Sequence, residues 1–439
     1  MSVIGIILSI VILGLLILVH EFGHFILARK NGIFVKEFSI GFGPRIVSHV
    51  AKSGTRFSWK AIPFGGSCAM LGEMEEEDDE HADDERSFEK KSVWARMSVI
   101  LAGPFFNFFL AFVLSVIYIG TMGYDPPTVT SVTEGSAAYE AGLREGDLIT
   151  SYNGKGVNFG REIYIENVLH PVSADSEDYV ITFVRDGVKD TITIPPTPYS
   201  YYLLGIKYYA DTNPAKIEGI EKDTPVDEAG MEDGDIITAI NGIPISTGAE
   251  LAEYFNKHEL TGEPLTVSYT RRGGEFTTTV TPKMTTAYKL GFTFNMENQK
   301  TDALGTIKYS FCEMGYQISS VFKSLGYLIS GRGSLDMLSG PVGIVEIVGQ
   351  TYDASVSRGF LVTLMNLISL MISLSANLGI INLFPIPALD GGKFILLIIE
   401  AIRRKPIPRK YEGVATIIGA TLLVLLMGVV LVNDILKLF

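Results

Sequence analysis

Four long apolar stretches punctuate the chain: Val3–Val19, Val99–Thr121, Phe360–Leu383 and Val414–Val432. Each holds about 17–24 residues, enough to cross roughly 30 Å of hydrocarbon at 1.5 Å per residue. The pattern predicts four transmembrane helices, over 1–28, 97–121, 359–392 and 413–433. The first has the length of a signal-peptide core. However, no basic start precedes it and no small-residue cleavage site follows, so it reads as a span. Between the second and third stretches the period changes. Runs such as Tyr179–Val184 and Leu265–Tyr269 alternate apolar and polar positions, as half-buried strands do.

Composition agrees with a chain that uses lipid as part of its solvent. Hydrophobic residues make up 47% and charged residues 19%, against about 25% charged in ordinary globular chains. A net charge of −13 excludes a protein that works by neutralising phosphates, so no nucleic-acid partner is expected. Two cysteines support neither a disulfide framework nor a zinc–cysteine cluster. The basic residues are unevenly placed. Residues 1–28 contain no Lys or Arg, whereas 29–96 and the 393–412 link between the last two spans are rich in both. Basic loops stay in the cytoplasm, which places both termini and the insert from Asp125 to about Lys300 outside it. That insert carries 14 basic and 27 acidic residues, the whole negative excess. The same topology puts Cys68 and Cys312 on opposite sides, unable to pair.

The insert repeats itself at a spacing of 88 residues. Ala141-Gly-Leu-Arg-Glu-Gly-Asp-Leu-Ile-Thr-Ser-Tyr-Asn-Gly154 aligns with Ala229-Gly-Met-Glu-Asp-Gly-Asp-Ile-Ile-Thr-Ala-Ile-Asn-Gly242, identical at eight of fourteen positions. Each copy predicts a short helix closing at Ala-Gly, then Gly-Asp, a strand and an Asn-Gly hairpin turn. The run resembles the PDZ domain, which binds extended peptide ends at a sheet edge. Two such α/β domains are expected, over 125–205 and 206–298, as peptide binders or as plain obstacles to access.

The chemistry is concentrated at two sites far apart in sequence. His20-Glu-Phe-Gly-His24 ends the first span. Histidines four apart share a helical face and can reach one zinc ion. Glu21, between them, is placed to accept a proton from a water that such an ion activates. The plain alternative is a pair of interfacial histidines. A catalytic zinc needs a third protein ligand, and Asp390 in Asn382-Leu-Phe-Pro-Ile-Pro-Ala-Leu-Asp390-Gly391 is the candidate. Its two prolines break the third span, so a carboxylate can turn inward. From Ser2 to His20 the rise is ~27 Å, and from Phe360 to Asn382 ~33 Å. Both sites therefore fall near the same boundary of the bilayer.

HEFGH in the first span, N-x-x-P-x-P-x-L-D-G in the third and a PDZ-bearing insert between spans two and three closely resemble the bacterial site-2 intramembrane metalloprotease family, of the RseP/RasP type. The resemblance covers nearly the whole chain. It implies a multi-pass α-helical membrane protein with a membrane-associated β-hairpin over about 35–72, running from Gly41-Phe-Gly-Pro44 to Ile62-Pro-Phe-Gly-Gly66, that presents substrate as an added strand. It makes His20, His24 and Asp390 zinc ligands and Glu21 the catalytic base, and gives Asn382 and Asn377 substrate-positioning roles. It likens Gly340-Pro-Val-Gly-Ile344 to the segment that precedes the family's third span. The implied activity is zinc-dependent cleavage of transmembrane segments in the bacterial cell membrane, after a partner protease has trimmed their outer part. Anti-sigma factors and signal-peptide remnants are the substrate types. One departure stands out: Cys68 occupies a position where a tyrosine-like residue is expected.

The rest reads more plainly. The acidic run in 73–89 predicts a solvated loop. Asn107, polar inside the second span, serves either the active site or a helix–helix hydrogen bond. Within 301–358, Ala303–Ser330 is apolar with Lys308, Glu313 and Lys323 interspersed, as in an amphipathic helix lying on the outer leaflet. The rival from another class is a membrane-anchored PDZ scaffold with a vestigial metal site.

Overall fold

A computed structural model describes residues 3–73, 84–333 and 338–436. The chain forms two compact units, Met1–Asp125 with Glu297–Phe439, and Pro126–Met296. Most of the acidic run, 74–83, lies outside the described residues.

The first unit opens with α1 (Val3–Lys30). A hairpin follows, β1 (Val35–Val50) and β2 (Arg56–Met70), and then α2 (Val93–Met122). The hairpin curls on itself. Glu37–Ile40 register with Arg56–Trp59 on one side and with Gly66–Ala69 on the other, while Arg56–Lys60 also pair with Arg45–Val50. Helix α2 starts at Ser92, whose Oγ accepts from the amide of Ala95 at 3.3 Å. Such a cap satisfies one of the amides that a helix leaves unpaired.

The second unit holds the repeat. Its first copy is β3 (Val129–Val132), α3 (Ala137–Glu140), β4 (Leu148–Tyr152), β5 (Lys155–Gly156), α4 (Gly160–Leu169), β6 (Tyr179–Arg185) and β7 (Val188–Ile194). After a strand β8 (Thr197–Leu203) the second copy runs β9 (Ile206–Lys207), β10 (Gly219–Ile220), α5 (Pro225–Glu228), β11 (Ile236–Ile240), β12 (Ile243–Pro244), α6 (Gly248–Lys257), β13 (Leu265–Arg271) and β14 (Gly274–Val280). Strands β15 (Lys283–Lys289) and β16 (Phe292–Phe294) close the unit. The sheet orders correspond, β5-β4-β6-β7 and β12-β11-β13-β14. Both Asn-Gly turns form as expected: Asn153 and Asn241 each have φ 49°, with Gly154 at 73° and Gly242 at 77°. The conserved pattern of the repeat is structural. Asp147 is clamped by Arg185 and Asp235 by Arg271, the Nε–Oδ1 distance being 2.7 Å in both.

The copies are nested rather than consecutive, which corrects the boundaries 125–205 and 206–298. Strand β10 pairs with β9, but β3 takes its equivalent partner from β16, beyond the second copy. Strands β8 and β15 form the antiparallel ribbon that leads out of one copy and back into it. Leu290 belongs to the first core, with Val129, Ile149 and Phe183, and Leu204 to the second, with Ile237 and Leu251.

The chain then returns to the first unit with α7 (Ala303–Ile329), α8 (Pro341–Val356), α9 (Phe360–Asn382), α10 (Asp390–Arg403) and α11 (Arg409–Leu436). Among the described residues four helices are long and apolar enough to span a membrane: α1, α2, α9 and Tyr411–Leu436 of α11. The third span does not run to 392. Helix α9 stops at Asn382, where Pro385 and Pro387 exclude helix, and the expected link 393–412 is largely α10. Helix α7 covers the segment expected to be an amphipathic helix. It runs along α2 and α9. Tyr309 stacks on Tyr124 at 3.7 Å, Phe311 packs on Phe112, and Phe322 faces Phe384 beyond the end of α9. Its polar residues find partners inside the bundle. Gln317 donates to Glu313 at 2.8 Å and to Ser373 of α9 at 3.1 Å, which removes the need for water on that face. Helix α8, starting at Gly340, packs Val348 against Ile12 and Leu16 of α1. The carboxylate of Asp434 on α11 accepts from the amides of Gly340 and Gly343.

Candidate metal centre

Residues His20, Glu21 and His24 occupy the last three turns of α1, which extends past the apolar run to Lys30. Their spacing puts both imidazoles on the face toward α2, where they are buried. That contact is unusually close. A Cβ on Gly23 would stand 2.4 Å from the carbonyl oxygen of Ala102, and one on Gly103 would stand 2.3 Å from Nε2 of His24 and 2.7 Å from Cε1 of His20. Only glycine at these two positions lets the helices meet with the histidines between them. Helix α2 also holds the ring nitrogens that face away from the cluster. Nδ1 of His24 lies 2.8 Å from the carbonyl oxygen of Val99, and Nδ1 of His20 lies 3.2 Å from Nδ2 of Asn107.

Asp390 comes from the other extremity of the chain. It opens α10, after the turn that begins at Leu383, where the helix dipole favours a negative charge. Nε2 of His20 and Nε2 of His24 lie 3.1 Å apart, and Oδ2 of Asp390 lies 3.1 and 3.4 Å from them. A tetrahedral zinc with bonds of about 2.0–2.1 Å requires ligand–ligand edges of roughly 3.3 Å. Oδ2 is buried, and the two imidazole nitrogens are its polar neighbours. The three donor atoms are clustered closely enough to share one ion, and two imidazoles with a carboxylate are a donor set that suits zinc.

Glu21 lies on the side of the hairpin. A Cβ on Gly66 of β2 would stand 3.1 Å from Cγ of Glu21 and 3.3 Å from Cγ2 of Ile17, so β2 runs against the helix beside this carboxylate. Cys68, two residues on, is buried, and burial pushes its thiol well above its ordinary range; it behaves as a small apolar residue. Asn377 and Asn382 are half-buried on α9, and neither side chain hydrogen-bonds another described residue. Beyond Asp390, Lys393 pairs with Glu73 at 2.7 Å and Arg96 of α2 pairs with Glu400. Burial opposes the charge of Lys393, but the carboxylate of Glu73 outweighs it and holds the ammonium above its ordinary value. The sequence had no means of revealing Gly23, Gly103 and the Val99 carbonyl, whose roles arise from the approach of two helices; Asn107 was visible only as a polar residue in a span.

The pattern of peptidase family M50 matches residues 8–426. The chain is 32% identical to the zinc metalloprotease RasP of Geobacillus kaustophilus, over 99% of this chain and 98% of that one. It is also 32% identical to the regulator of sigma E protease of Haemophilus influenzae, over 98% of each. Among solved structures, the PDZ domain of HtrA3 bound to a phage-derived ligand covers 21% of this chain and 93% of its own, with 20% identity and a TM-score of 0.18. With a family match over almost its entire length and four helices able to cross a bilayer, the chain belongs to peptidase family M50 and is an intramembrane zinc metalloprotease.

Proposed function

We propose that His20, His24 and Asp390 hold the catalytic zinc, that Glu21 is the general base, and that the bond hydrolysed lies within or beside a transmembrane segment of another membrane protein. The observation that carries this reading is the set of three donor separations, 3.1, 3.1 and 3.4 Å, between side chains from opposite ends of the chain. Zinc there supplies Lewis acidity toward a carbonyl and brings the pKa of a water close to neutrality. Glu21 would take a proton from the attacking water and deliver it to the leaving amine.

A transmembrane helix hides its peptide bonds, so the substrate must be drawn out before it is cut. The hairpin suits that task. Its strand Gly66–Met70 pairs on one side with β1, and Gly66 stands against Glu21. A substrate segment added along the hairpin as a further strand would be held extended by main-chain hydrogen bonds close to the base. The amides of Asn382 and Asn377 position the substrate backbone. The basic residues of 29–96 and 393–412 favour a cytoplasmic metal centre, with the nested repeat outside. That repeat, as a pair of PDZ-like modules, filters substrates by admitting those whose outer part is already trimmed. Anti-sigma factors and signal-peptide remnants in the bacterial inner membrane are the substrate types.

Glu21→Gln is expected to abolish cleavage of a membrane substrate while the purified protein keeps one zinc. His20→Ala is expected to lose both. Cleavage by Glu21→Gln, or full zinc in His20→Ala, would remove the assignment.

A further inference from the structure

Asn107 is fully buried in the middle of α2, where an amide must find partners or cost stability. Its backbone carbonyl accepts from Oγ of Ser375 on α9 at 2.8 Å, so spans two and three are joined at this turn. Its side chain points the other way. Nδ2 stands 3.2 Å from Nδ1 of His20, and Oδ1 is buried with no partner. A half-turn of the amide exchanges the two atoms, so that Oδ1 meets Nδ1 as an acceptor. The alternatives differ in consequence. With Nδ2–H donating, His20 carries its proton on Nε2, which faces His24 and Asp390. With Oδ1 accepting, the proton sits on Nδ1, and Nε2 presents a lone pair to the cluster.

Resting on the reading of His20 as a metal ligand, we infer that Asn107 is a positioning residue for the zinc, its amide oxygen accepting Nδ1–H of His20. Ligand histidines characteristically donate their far N–H to a fixed acceptor, which sets tautomer and ring orientation. His24 has such an acceptor in the Val99 carbonyl, 2.8 Å away. Val99 and Asn107 are eight residues apart on α2, two turns along one face, and His20 and His24 are one turn apart on α1. Because the helices run in opposite directions, the earlier histidine meets the later α2 residue. Gly103, midway, leaves the room that both rings fill.

The test uses the full chain in detergent, in the Glu21→Gln background, and reads zinc transfer to a colorimetric chelator together with the visible spectrum of the cobalt-substituted protein. Asn107→Leu removes the acceptor and is expected to release zinc 10–100-fold more readily, the usual effect of losing such a partner, with an altered cobalt spectrum. Asn107→Asp supplies a carboxylate acceptor and is expected to stay within a few-fold of the parent. Ser375→Ala, which removes only the tie to the backbone of Asn107, is expected to leave zinc retention unchanged. Parental retention in Asn107→Leu overturns the inference, as does loss in Asn107→Asp or Ser375→Ala equal to that in Asn107→Leu. If Asn107→Leu does not fold, Asn107→Ala takes its place in the same comparison. A parent that binds no zinc would instead overturn the ligand assignment, so the two failures are distinguishable.

Discussion

The contact between α1 and α2 invites a one-methyl perturbation. In Gly103→Ala the new Cβ would lie 2.3 Å from Nε2 of His24, 2.6 Å from its Cε1 and 2.7 Å from Cε1 of His20. Ordinary carbon contacts begin near 3.5 Å, so something must move by ~1.2 Å. The imidazole of His24 cannot simply swing away. Its Nδ1 is held by the Val99 carbonyl at 2.8 Å, and its Nε2 already faces His20 at 3.1 Å. Either both rings turn or the helices separate. A metal site tolerates errors of about 0.2 Å in its bonds, and misplacing a reacting group by 1 Å can cost about 100-fold in rate.

Overpacking of this kind costs typically 1–3 kcal/mol, less than the roughly 5–15 kcal/mol that holds a folded chain together. Gly103→Ala should therefore fold, retain zinc at least ~10-fold more weakly, and lose cleavage in proportion. Gly14→Ala is the control, since nothing lies within 4 Å of its added methyl. Zinc content of the purified protein, its loss to a chelator and turnover of a membrane substrate decide the matter. Gly103→Ala with parental zinc and turnover would show that the helices are looser than these distances state, and the argument from close approach would fall.

Two further outcomes follow from other parts of the fold. Glu37 of the hairpin accepts from Arg45 at 2.7 Å and from Ser58 at 2.6 Å, with Lys60 beside it at 3.4 Å, and the hydrogen bond from Arg45 chiefly lowers its pKa from 4.5 to about 2. A lowered carboxylate stabilises the fold above its unfolded pKa and loses that effect as pH falls from 4.5 toward 2; with Arg45 half exposed the effect is at most about 1 kcal/mol. Protection of the amides in 35–70, taken relative to their intrinsic exchange rates at each pH, should accordingly fall between pH 5 and pH 3, and Glu37→Gln should flatten the dependence; equal dependence in both would remove Glu37 as the cause. In the second unit, excising residues 204–282 and closing β8 onto β15 with an Asn-Gly turn should leave the first copy folded and relax substrate selectivity. Excising 206–298 should unfold that copy, because it removes β16 and the buried Leu290, worth about 2–5 kcal/mol for the leucine alone. Limited proteolysis separates the two, and equal resistance would argue against nesting.

Much of this was legible in the sequence, for identifiable reasons. Spans are long uniform runs, so the four helices could be found by length alone. The repeat carries its own turn chemistry, so both Asn-Gly hairpins were visible. The pairing of His20 and His24 follows from helical period, and Asp390 follows from two prolines that free a carboxylate to turn. What escaped depends on how elements meet. Nesting was hidden because β16 and β3 are joined by pairing across more than 150 residues, which no local pattern records. The internal partners of α7 were hidden because Glu313 looks like a residue for water, whereas it accepts from Gln317, which also reaches Ser373 of α9. Helix α10 was missed because its basic end, Arg403 to Lys405, read as part of a link.

The role of α2 explains how residues so distant in sequence reach one point. One face of this helix receives the first span through the Val99 carbonyl, the bare backbone of Gly103 and the amide of Asn107. Near its start, Arg96 binds Glu400 and so fixes α10, the helix that Asp390 opens, while Ile100 and Leu397 share one core. Ser375 ties α9 to the turn at Asn107. The histidines and the aspartate are thus each referenced to the same rigid helix rather than to one another. Carboxylate and imidazoles are thereby brought within 3.1–3.4 Å of one another, close to the ligand–ligand edge that the proposed zinc would require.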